Sequence, residues 1–320
     1  MREHYMWTLL RTAIPLGERT AIMGILNVTP DSFFDGGRYF DREKANERGR
    51  QIEEEGADII DIGGESTRPG GGAVSEEEET RRVLPVIEAL ARTVRIPISV
   101  DTYRSGVARR ALEAGAQIVN DISGFRFDDE MREVVQEARA GVVLMHSRGS
   151  RDSLHQQPRM ENAFRQVTED LAHSVENARA AGIPMHSIAI DPGIGFGKAA
   201  DESLQVLKSL SGFSKLGYPL LVGTSRKSFI RSMTSESLEA RSWGTAATIV
   251  ASIMNGAHVV RVHDVRQARA LADVTDTILG KKPEARSHAP CARPPDRENS
   301  GRQVVAAYLA SGFFLLAPGF

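Results

Sequence analysis

Short apolar segments recur eight times along the chain, and a segment with helical character follows each of them. The apolar segments span 22–28, 58–62, 96–100, 116–119, 142–145, 187–190, 219–222 and 259–262. The helical segments span 42–55, 75–92, 105–114, 129–138, 159–180, 201–210, 238–254 and 266–279. Strands that are apolar throughout are typical of parallel sheets buried on both faces. Eight such units therefore predict an α/β fold of the (β/α)8 TIM barrel type. The alternative is a doubly wound open sheet, but no GxGxxG motif opens the first helix.

The two ends of the chain do not follow this repeat. Residues 1–19 predict a short strand or hairpin with Gly17 at a turn, ahead of a catalytic domain over 20–282. Residues 283–302 are polar and proline-rich, which is typical of a disordered linker. Residues 304–317 are uncharged and apolar, but a helix of that length reaches only about 20 Å, which is too short for an integral membrane span. We expect 283–320 to be an appendage or a docked segment, with a weak membrane-interface or partner contact as the alternative.

Composition excludes several classes of protein. The 40 basic and 42 acidic residues nearly balance, so no overall field favours nucleic acid or acidic lipid. A single cysteine, Cys291, excludes an intramolecular disulfide and a multi-cysteine metal site. Arg11 interrupts the short apolar stretch near the N-terminus, so a signal peptide is not expected and a cytoplasmic location is predicted.

Polar residues stand where nearly every predicted strand ends, which is where TIM barrels place their chemistry. The clearest case is IAIDPGIGFGK at 188–198, where a strand delivers Asp191 to a glycine-rich loop. Asp101 and Asn120 end two other strands. Two carboxylates and one amide can bind the donor–acceptor edge of a flat nitrogen heterocycle such as an aminopyrimidinone. Each could instead be a structural acceptor at the start of a loop.

Cationic residues at other strand ends predict a second group of ligands. Arg68, Arg261 and His263 suit a phosphate or diphosphate, although His263 could be a core histidine. Asn27 could hold a hydrated Mg²⁺ through its amide oxygen. Lys227 could donate to a ring carbonyl or could be a solvated loop residue. We expect acid and amide groups on one side of the barrel mouth and cationic groups on the other.

Two loops, at 28–39 and 63–74, are longer than is usual in a barrel, and long loops often cover binding sites. Phe33 in the first and Pro69 in the second are apolar residues in otherwise polar surroundings. They could cover a flat second substrate, or they could pack on their own scaffold.

Seven motifs in this order resemble the dihydropteroate synthase family: ILNVTPDSFFDGG, DIGGESTRPG, SVDT, IVNDISG, DPGIGFGK, GTSRKS and RVHDV. The match covers about residues 22–279. The resemblance implies a (β/α)8 fold, a Mg²⁺ cofactor and a homodimer. It also implies that 6-hydroxymethyl-7,8-dihydropterin diphosphate condenses with p-aminobenzoate to give 7,8-dihydropteroate and diphosphate, as in folate biosynthesis.

The resemblance also implies roles for individual residues. The implied pterin-binding residues are Asp101, Asn120, Met145, Asp191 and Lys227. Three of them, Asp101, Asp191 and Lys227, are the expected catalytic groups. Diphosphate binding falls to Thr67, Arg68, Arg261 and His263, with Asn27 on the metal. The p-aminobenzoate surroundings are Phe33, Pro69, Phe196, Ser225 and Lys227. Two alternatives remain: a pterin-dependent methyltransferase, which would not use the diphosphate residues or the SRK segment, and a pterin-binding relative without turnover.

Overall fold

Eight parallel strands form the centre of the molecule. The computed structural model describes residues 2–29, 42–65, 74–154, 156–234 and 237–281. The parallel strands are β3 (Ala21–Asn27), β4 (Ile59–Gly63), β5 (Ile98–Asp101), β6 (Ile118–Asp121), β7 (Gly141–Met145), β8 (Ile188–Asp191), β9 (Leu221–Val222) and β10 (Val259–Val262). Their order around the sheet is β8-β7-β6-β5-β4-β3-β10-β9. A parallel bridge between Ile190 and Leu220 joins β8 to the start of β9 and closes the ring. This is the predicted TIM barrel.

Helices follow the strands and cover the outside of the barrel. They are α1 (Arg42–Glu54), α2 (Glu76–Thr93), α3 (Ser105–Ala114), α4 (Met131–Ala138), α5 (Ala163–Ala180), α6 (Ala200–Lys208), α7 (Ser228–Arg231), α8 (Leu238–Met254) and α9 (Val265–Ile278). Ser75 caps the start of helix α2, because its hydroxyl accepts a hydrogen bond from the Glu78 N–H at 3.2 Å. Short 3₁₀ turns lie at Arg151–Ser153, Met185–Ser187 and Leu210–Leu216.

The predicted start of α5 at residue 159 is wrong. The helix begins at Ala163, because the Asn162 side chain accepts a hydrogen bond from the Arg165 N–H at 3.0 Å and caps the first turn. Helix α7 was also not foreseen, since its four residues are too few to show a helical period.

An N-terminal hairpin closes one end of the barrel. Strands β1 (Tyr5–Thr8) and β2 (Ala13–Leu16) pair antiparallel, as the hairpin prediction requires, and Gly17 follows β2 at a bend with φ of +108°. Trp7 is fully buried, and its Nε1 donates to the Ser187 carbonyl at 3.0 Å. The hairpin packs on inward-facing strand residues, which we call the barrel floor: Ala21, Met23, Ile59, Ile118, Val143, Ala189, Leu221 and Val259. The opposite end, where the strands finish, is left for the site.

Candidate active site

The centre of the barrel mouth is a buried network of two carboxylates and one guanidinium. Arg261, on β10, donates through Nε to Asp61 at 2.6 Å and through Nη2 to Asp101 at 2.5 Å. Asn120, on β6, donates to the same Asp61 oxygen at 3.1 Å. The Asp61 side chain is completely buried, and those of Arg261 and Asp101 are 17% and 22% exposed. Strands β4, β5, β6 and β10 therefore bring four side chains to one point.

This arrangement contradicts the expected separation of acidic and cationic sides. Arg261 lies between the acids Asp61 and Asp101 instead of facing them across the mouth. The physical reason is that a buried carboxylate needs a partner, and Asp61 sits in the interior of β4, where water cannot reach it. Asp61 had no role in our prediction. The available signal was a single acid inside the apolar strand segment IIDIG.

Asp191, at the end of β8, begins the glycine-rich loop, and one of its oxygens accepts from the Gly193 N–H at 2.7 Å. Gly193 has φ of +63°, and a Cβ there would lie 1.8 Å from the His146 carbonyl oxygen, so only glycine fits. Burial raises the pKa of Asp191 to about 6, while its hydrogen bond with Gly193 and the cations Lys227 and Lys198 oppose the rise. The carboxyl is therefore harder to ionise than an ordinary aspartate.

Lys227 lies over the Phe196 ring, with its Nζ 3.7 Å from the ring centroid. Burial and the positive charge of Arg261 lower the pKa of Lys227 to about 7, against the attraction of Asp191 and Asp101. Burial raises the pKa of Asp101 to about 7, with Arg261 opposing. The mouth thus holds acids and a base that change protonation near neutral pH, which is typical of catalytic sites.

The ends of β9 and β10 meet through Ser225 and His263. The Ser225 hydroxyl and the His263 Nδ1 lie 3.0 Å apart, and the His263 N–H donates to the same hydroxyl at 3.3 Å. Ser225 is buried, and His263 is partly exposed. The predicted diphosphate residue His263 and the predicted p-aminobenzoate residue Ser225 are therefore neighbours.

Apolar side chains form a small patch beside the charged network. Ile122, Met145 and Phe196 are buried together, and Tyr103 packs against them. Such a patch gives a flat ring a surface to pack on while polar groups bind its edge. Asp121, next to Asn120, is different, because its oxygens accept from Ser123 and Phe125 and hold a turn.

Some predicted residues lie outside the described part of the chain: Phe33, Thr67, Arg68 and Pro69. The residues that flank 66–73 are described and are tightly held. Glu65 accepts from Arg104 Nη1 at 2.7 Å and from Arg151 Nε at 2.5 Å. Arg104 also donates through Nη2 to the Val74 carbonyl at 2.6 Å. One arginine thus binds both ends of the segment that carries Thr67, Arg68 and Pro69, a role that the sequence did not reveal.

Asn27 ends β3 beside Gly63 of β4 and is partly exposed at the mouth. Among the residues that the structure describes, no group of three or more His, Cys, Asp or Glu side chains is placed to hold a metal ion. In the same part of the chain, no helix is both long and apolar enough to cross a membrane.

Comparison with known proteins identifies relatives over most of the chain. The model of the family described as pterin binding enzyme matches residues 23–263. A dihydropteroate synthase of Bacillus subtilis is 46% identical over 270 residues, which cover 84% of this chain and 92% of that protein.

Solved structures agree with this match. The dihydropteroate synthase of Clostridium difficile, solved in the presence of pteroic acid, has a TM-score of 0.78 and 42% identity, covering 82% of this chain and 98% of that one. The Yersinia pestis dihydropteroate synthase in a sulfonamide drug complex has a TM-score of 0.80 and 36% identity, covering 87% and 100%. The chain therefore belongs to the pterin binding enzyme family and, within it, to the dihydropteroate synthases.

Proposed function

We propose that this protein is a transferase that condenses 6-hydroxymethyl-7,8-dihydropterin diphosphate with p-aminobenzoate, giving 7,8-dihydropteroate and diphosphate. The observation that carries the proposal is the convergence of Asp61, Asp101, Asn120 and Arg261 at one end of the barrel. A relative from Xanthomonas albilineans, 38% identical, has been solved in complex with 7,8-dihydropteroate. The proposed product is the molecule that this relative binds.

Pterin binding is proposed for Asp101, Asn120, Asp191 and Lys227, with Met145 packing on the ring. Carboxylates accept N–H groups, and an amide can both accept and donate, so these groups suit the aminopyrimidinone edge. Asn120 already donates one N–H to Asp61, which leaves its amide oxygen to face a ligand. Met145 is buried in the apolar patch beside them.

Diphosphate binding is proposed for Thr67, Arg68, Arg261 and His263. Arg261 is already paired with two carboxylates, so it adds less positive charge to the mouth than a free arginine would. Arg68 and His263 therefore carry more of this role than the sequence suggested. The His263 ring lies against Ser225 at the end of β9, close to where p-aminobenzoate is proposed to bind.

The donor set suits a Mg²⁺ ion that arrives with the substrate. Asn27 offers one amide oxygen at the mouth, and Mg²⁺ commonly combines one or two protein oxygens with phosphate oxygens and water. When bound, Mg²⁺ would supply positive charge to the diphosphate oxygens. If Asn27 holds the ion, Asn27→Ala will raise the Mg²⁺ concentration needed for half-maximal turnover and leave the p-aminobenzoate KM unchanged.

The p-aminobenzoate site is proposed to comprise Phe196, Ser225 and Lys227, together with Phe33 and Pro69. Phe196 is held under the Lys227 ammonium group, so the ring presents an apolar surface next to a positive charge. An aromatic carboxylate matches that combination, because its ring can pack on Phe196 while its charge faces a cation.

The reaction follows from these charges. The bond between the pterin methylene and the diphosphate oxygen breaks first, and the cationic groups stabilise the departing anion. The methylene left behind is electron-deficient, and we expect the Asp101 and Asp191 carboxylates to stabilise it. The p-aminobenzoate nitrogen then forms the new C–N bond and loses a proton. No protein nucleophile is needed, and Asp101→Ala should lower kcat more than it lowers pterin affinity.

A diphosphate-release assay tests the function directly. The purified protein should release diphosphate and form dihydropteroate only when both substrates and Mg²⁺ are present. Methyl transfer without diphosphate release would favour the methyltransferase alternative. Pterin binding without either reaction would favour a relative without turnover.

We also propose a homodimer that uses helices α8 and α9, and a cytoplasmic location. The large apolar side chains Trp243 and Met254 on α8 are 69% and 57% exposed, and Val274 and Ile278 on α9 are 61% and 72% exposed. Apolar surface of this kind is typical of interfaces between subunits. Light scattering should give twice the chain mass for the native protein and the single chain mass for Trp243→Glu.

A further inference from the structure

Lys198 lies at the end of the glycine-rich loop, has no role in the mechanism above, and is surrounded by acceptors. Its Nζ lies 2.8 Å from the Gly193 carbonyl oxygen, 3.2 Å from that of Phe196 and 2.7 Å from the Nδ1 of His146. The His146 carbonyl oxygen lies farther away, at 3.4 Å. A lysine ammonium has three N–H donors and no acceptor, so the three closer contacts can use all of its protons. Lys198 thereby connects the two ends of the turn that follows Asp191.

His146, the residue after β7, connects Lys198 to the outside of the barrel. Its ring is almost completely buried, and its Nε2 lies 3.0 Å from an oxygen of Asp170 on α5. Burial lowers the pKa of Lys198 to about 7, so below that pH its Nζ is an ammonium group that can only donate. Nδ1 then accepts, so Nε2 carries the proton and donates to Asp170. Burial and the charge of Lys198 lower the pKa of His146 to about 4, which agrees with a neutral ring.

The loop that Lys198 holds is the one that carries the site. Gly193, whose carbonyl Lys198 binds, donates its N–H to Asp191 at 2.7 Å. Phe196, whose carbonyl Lys198 also binds, lies under Lys227. The backbone orientation of these two residues therefore sets the direction of the Asp191 carboxylate and the position of the Phe196 ring.

We propose that Lys198 is a positioning residue which, through His146 and Asp170, fixes the 192–197 loop in the geometry that both substrates need. It touches neither substrate and acts by holding Asp191 and Phe196. The proposal rests on the proposed function for its kinetic readout. Its structural readout, the His146 ring, does not depend on turnover.

The kinetic test compares Lys198→Met, Lys198→Arg and Asp170→Asn with a control variant at Glu169, which lies beside Asp170 on α5. Displacing reacting groups by about 1 Å can cost roughly 100-fold in rate, so we expect kcat/KM of Lys198→Met to fall between about 10-fold and about 100-fold. The p-aminobenzoate KM should rise, Lys198→Arg should recover part of the loss, and Asp170→Asn should lose about threefold. Glu169→Gln, which removes only an exposed contact with Arg165, should match the native protein.

The structural test measures the ¹⁵N signals of the His146 ring in the native protein at about pH 6, below the pKa of Lys198 at about 7 and above that of His146 at about 4. We expect a neutral ring protonated at Nε2, with the Nδ1 signal shifted by a hydrogen bond that is lost in Lys198→Met. A ring protonated at Nδ1, or native kcat/KM in folded Lys198→Met, would overturn the proposal. If Lys198→Met does not fold, native kinetics in Asp170→Asn together with an unbonded Nδ1 would overturn it. Absence of dihydropteroate formation by the native protein, with the expected ring signals, would instead refute the proposed function.

Discussion

The floor and the mouth of this barrel are built from the same strands, two residues apart, and they have opposite chemistry. On β4, Ile59 belongs to the apolar floor and Asp61 to the charged mouth; on β10, Val259 and Arg261 stand in the same relation. Inward-facing side chains alternate along a strand, so two residues, or about 6.6 Å, separate one layer from the next. The molecule thus keeps its apolar and its charged inward-facing groups in separate layers of one sheet.

The residues of the mouth also contribute to the stability of the fold. The floor gains stability by burying apolar surface against Trp7. The mouth holds charges that must pair with each other, since Asp61 is completely buried. A substitution in the floor should therefore change stability alone, whereas one in the mouth should change both stability and turnover.

The largest expected effect is that of Arg261→Met. It leaves Asp61 buried without its cation, which typically costs about 3–5 kcal/mol in unfolding free energy. We expect kcat/KM to fall at least about 1,000-fold, equivalent to about 4 kcal/mol of transition-state stabilisation. Denaturant unfolding measures the change in unfolding free energy, and steady-state kinetics measures the change in kcat/KM. Arg109→Met, which breaks an exposed pair with Glu137, is the control and should change neither. Full stability in Arg261→Met would mean that Asp61 does not need its partner.

Trp7→Ala tests the floor alone. Removing a fully buried indole should lower the unfolding free energy by about 3–5 kcal/mol. Because Trp7 lies at the opposite end from the site, kcat/KM of the folded protein at low temperature should stay native. The partly exposed neighbour Met6 supplies the control, and Met6→Ala should change little. A large kinetic defect in Trp7→Ala would show that floor and mouth are coupled.

The pH dependence of pterin binding tests the mouth through a smaller expected effect. The pKa of Asp191 is raised to about 6 by burial, so its carboxylate is lost at a higher pH than in an ordinary aspartate. Burial also raises the pKa of Asp101, to about 7, so pterin affinity should begin to fall below about pH 7 and fall more steeply below about pH 6, by up to about tenfold per unit for each group. Calorimetry from about pH 5 to about pH 8 measures this. In Asp191→Asn the affinity should be low and should lack the step near pH 6 while keeping the one near pH 7. Asp152→Asn, at an exposed position, should keep the native profile.

Removing residues 283–320 should have the smallest effect. The family match ends at residue 263, and the last described helix ends at Ile278, so every described residue of the floor and the mouth precedes the deletion. Native kcat/KM and melting temperature in the shortened protein would agree with this. A loss of activity would mean that the segment contributes to the site.

Much of the barrel could be predicted from the sequence, because its signal is local. Each buried strand is a short apolar run, and all eight runs correspond to observed strands within about two residues. The start of α5 was missed, since the Asn162 cap outweighs the helical character of the residues before it. Helix α7 was missed because four residues carry no periodic pattern.

The site was harder to predict because its contacts join distant parts of the chain. The strand ends drew attention to Asp101, Asn120 and Asp191, but the partners of Arg261 are 200 and 160 residues away in sequence. Only closure of the barrel brings them together, and charge alone does not say which acid an arginine will choose. Strand β6 shows the same limit: Asn120 was predicted as a ligand, but its bond to Asp61 and the turn held by the neighbouring Asp121 were not predicted.

The pairing of β8 with β9, which lies between Asp191 and Lys227, is the weakest strand pairing in the described barrel. Strand β9 has two residues, and β8 meets it through the bridge between Ile190 and Leu220 and the bond from the Ile190 N–H to the Pro219 carbonyl at 3.0 Å. Few hydrogen bonds between β8 and β9 must lengthen for this seam between the two strands to widen. Amide hydrogen exchange should therefore be faster there than along β4 or β5. A ring bulkier than the natural pterin would therefore find room at this seam, between Asp191 and Lys227, the acid and the base that we propose bind the edge of the pterin.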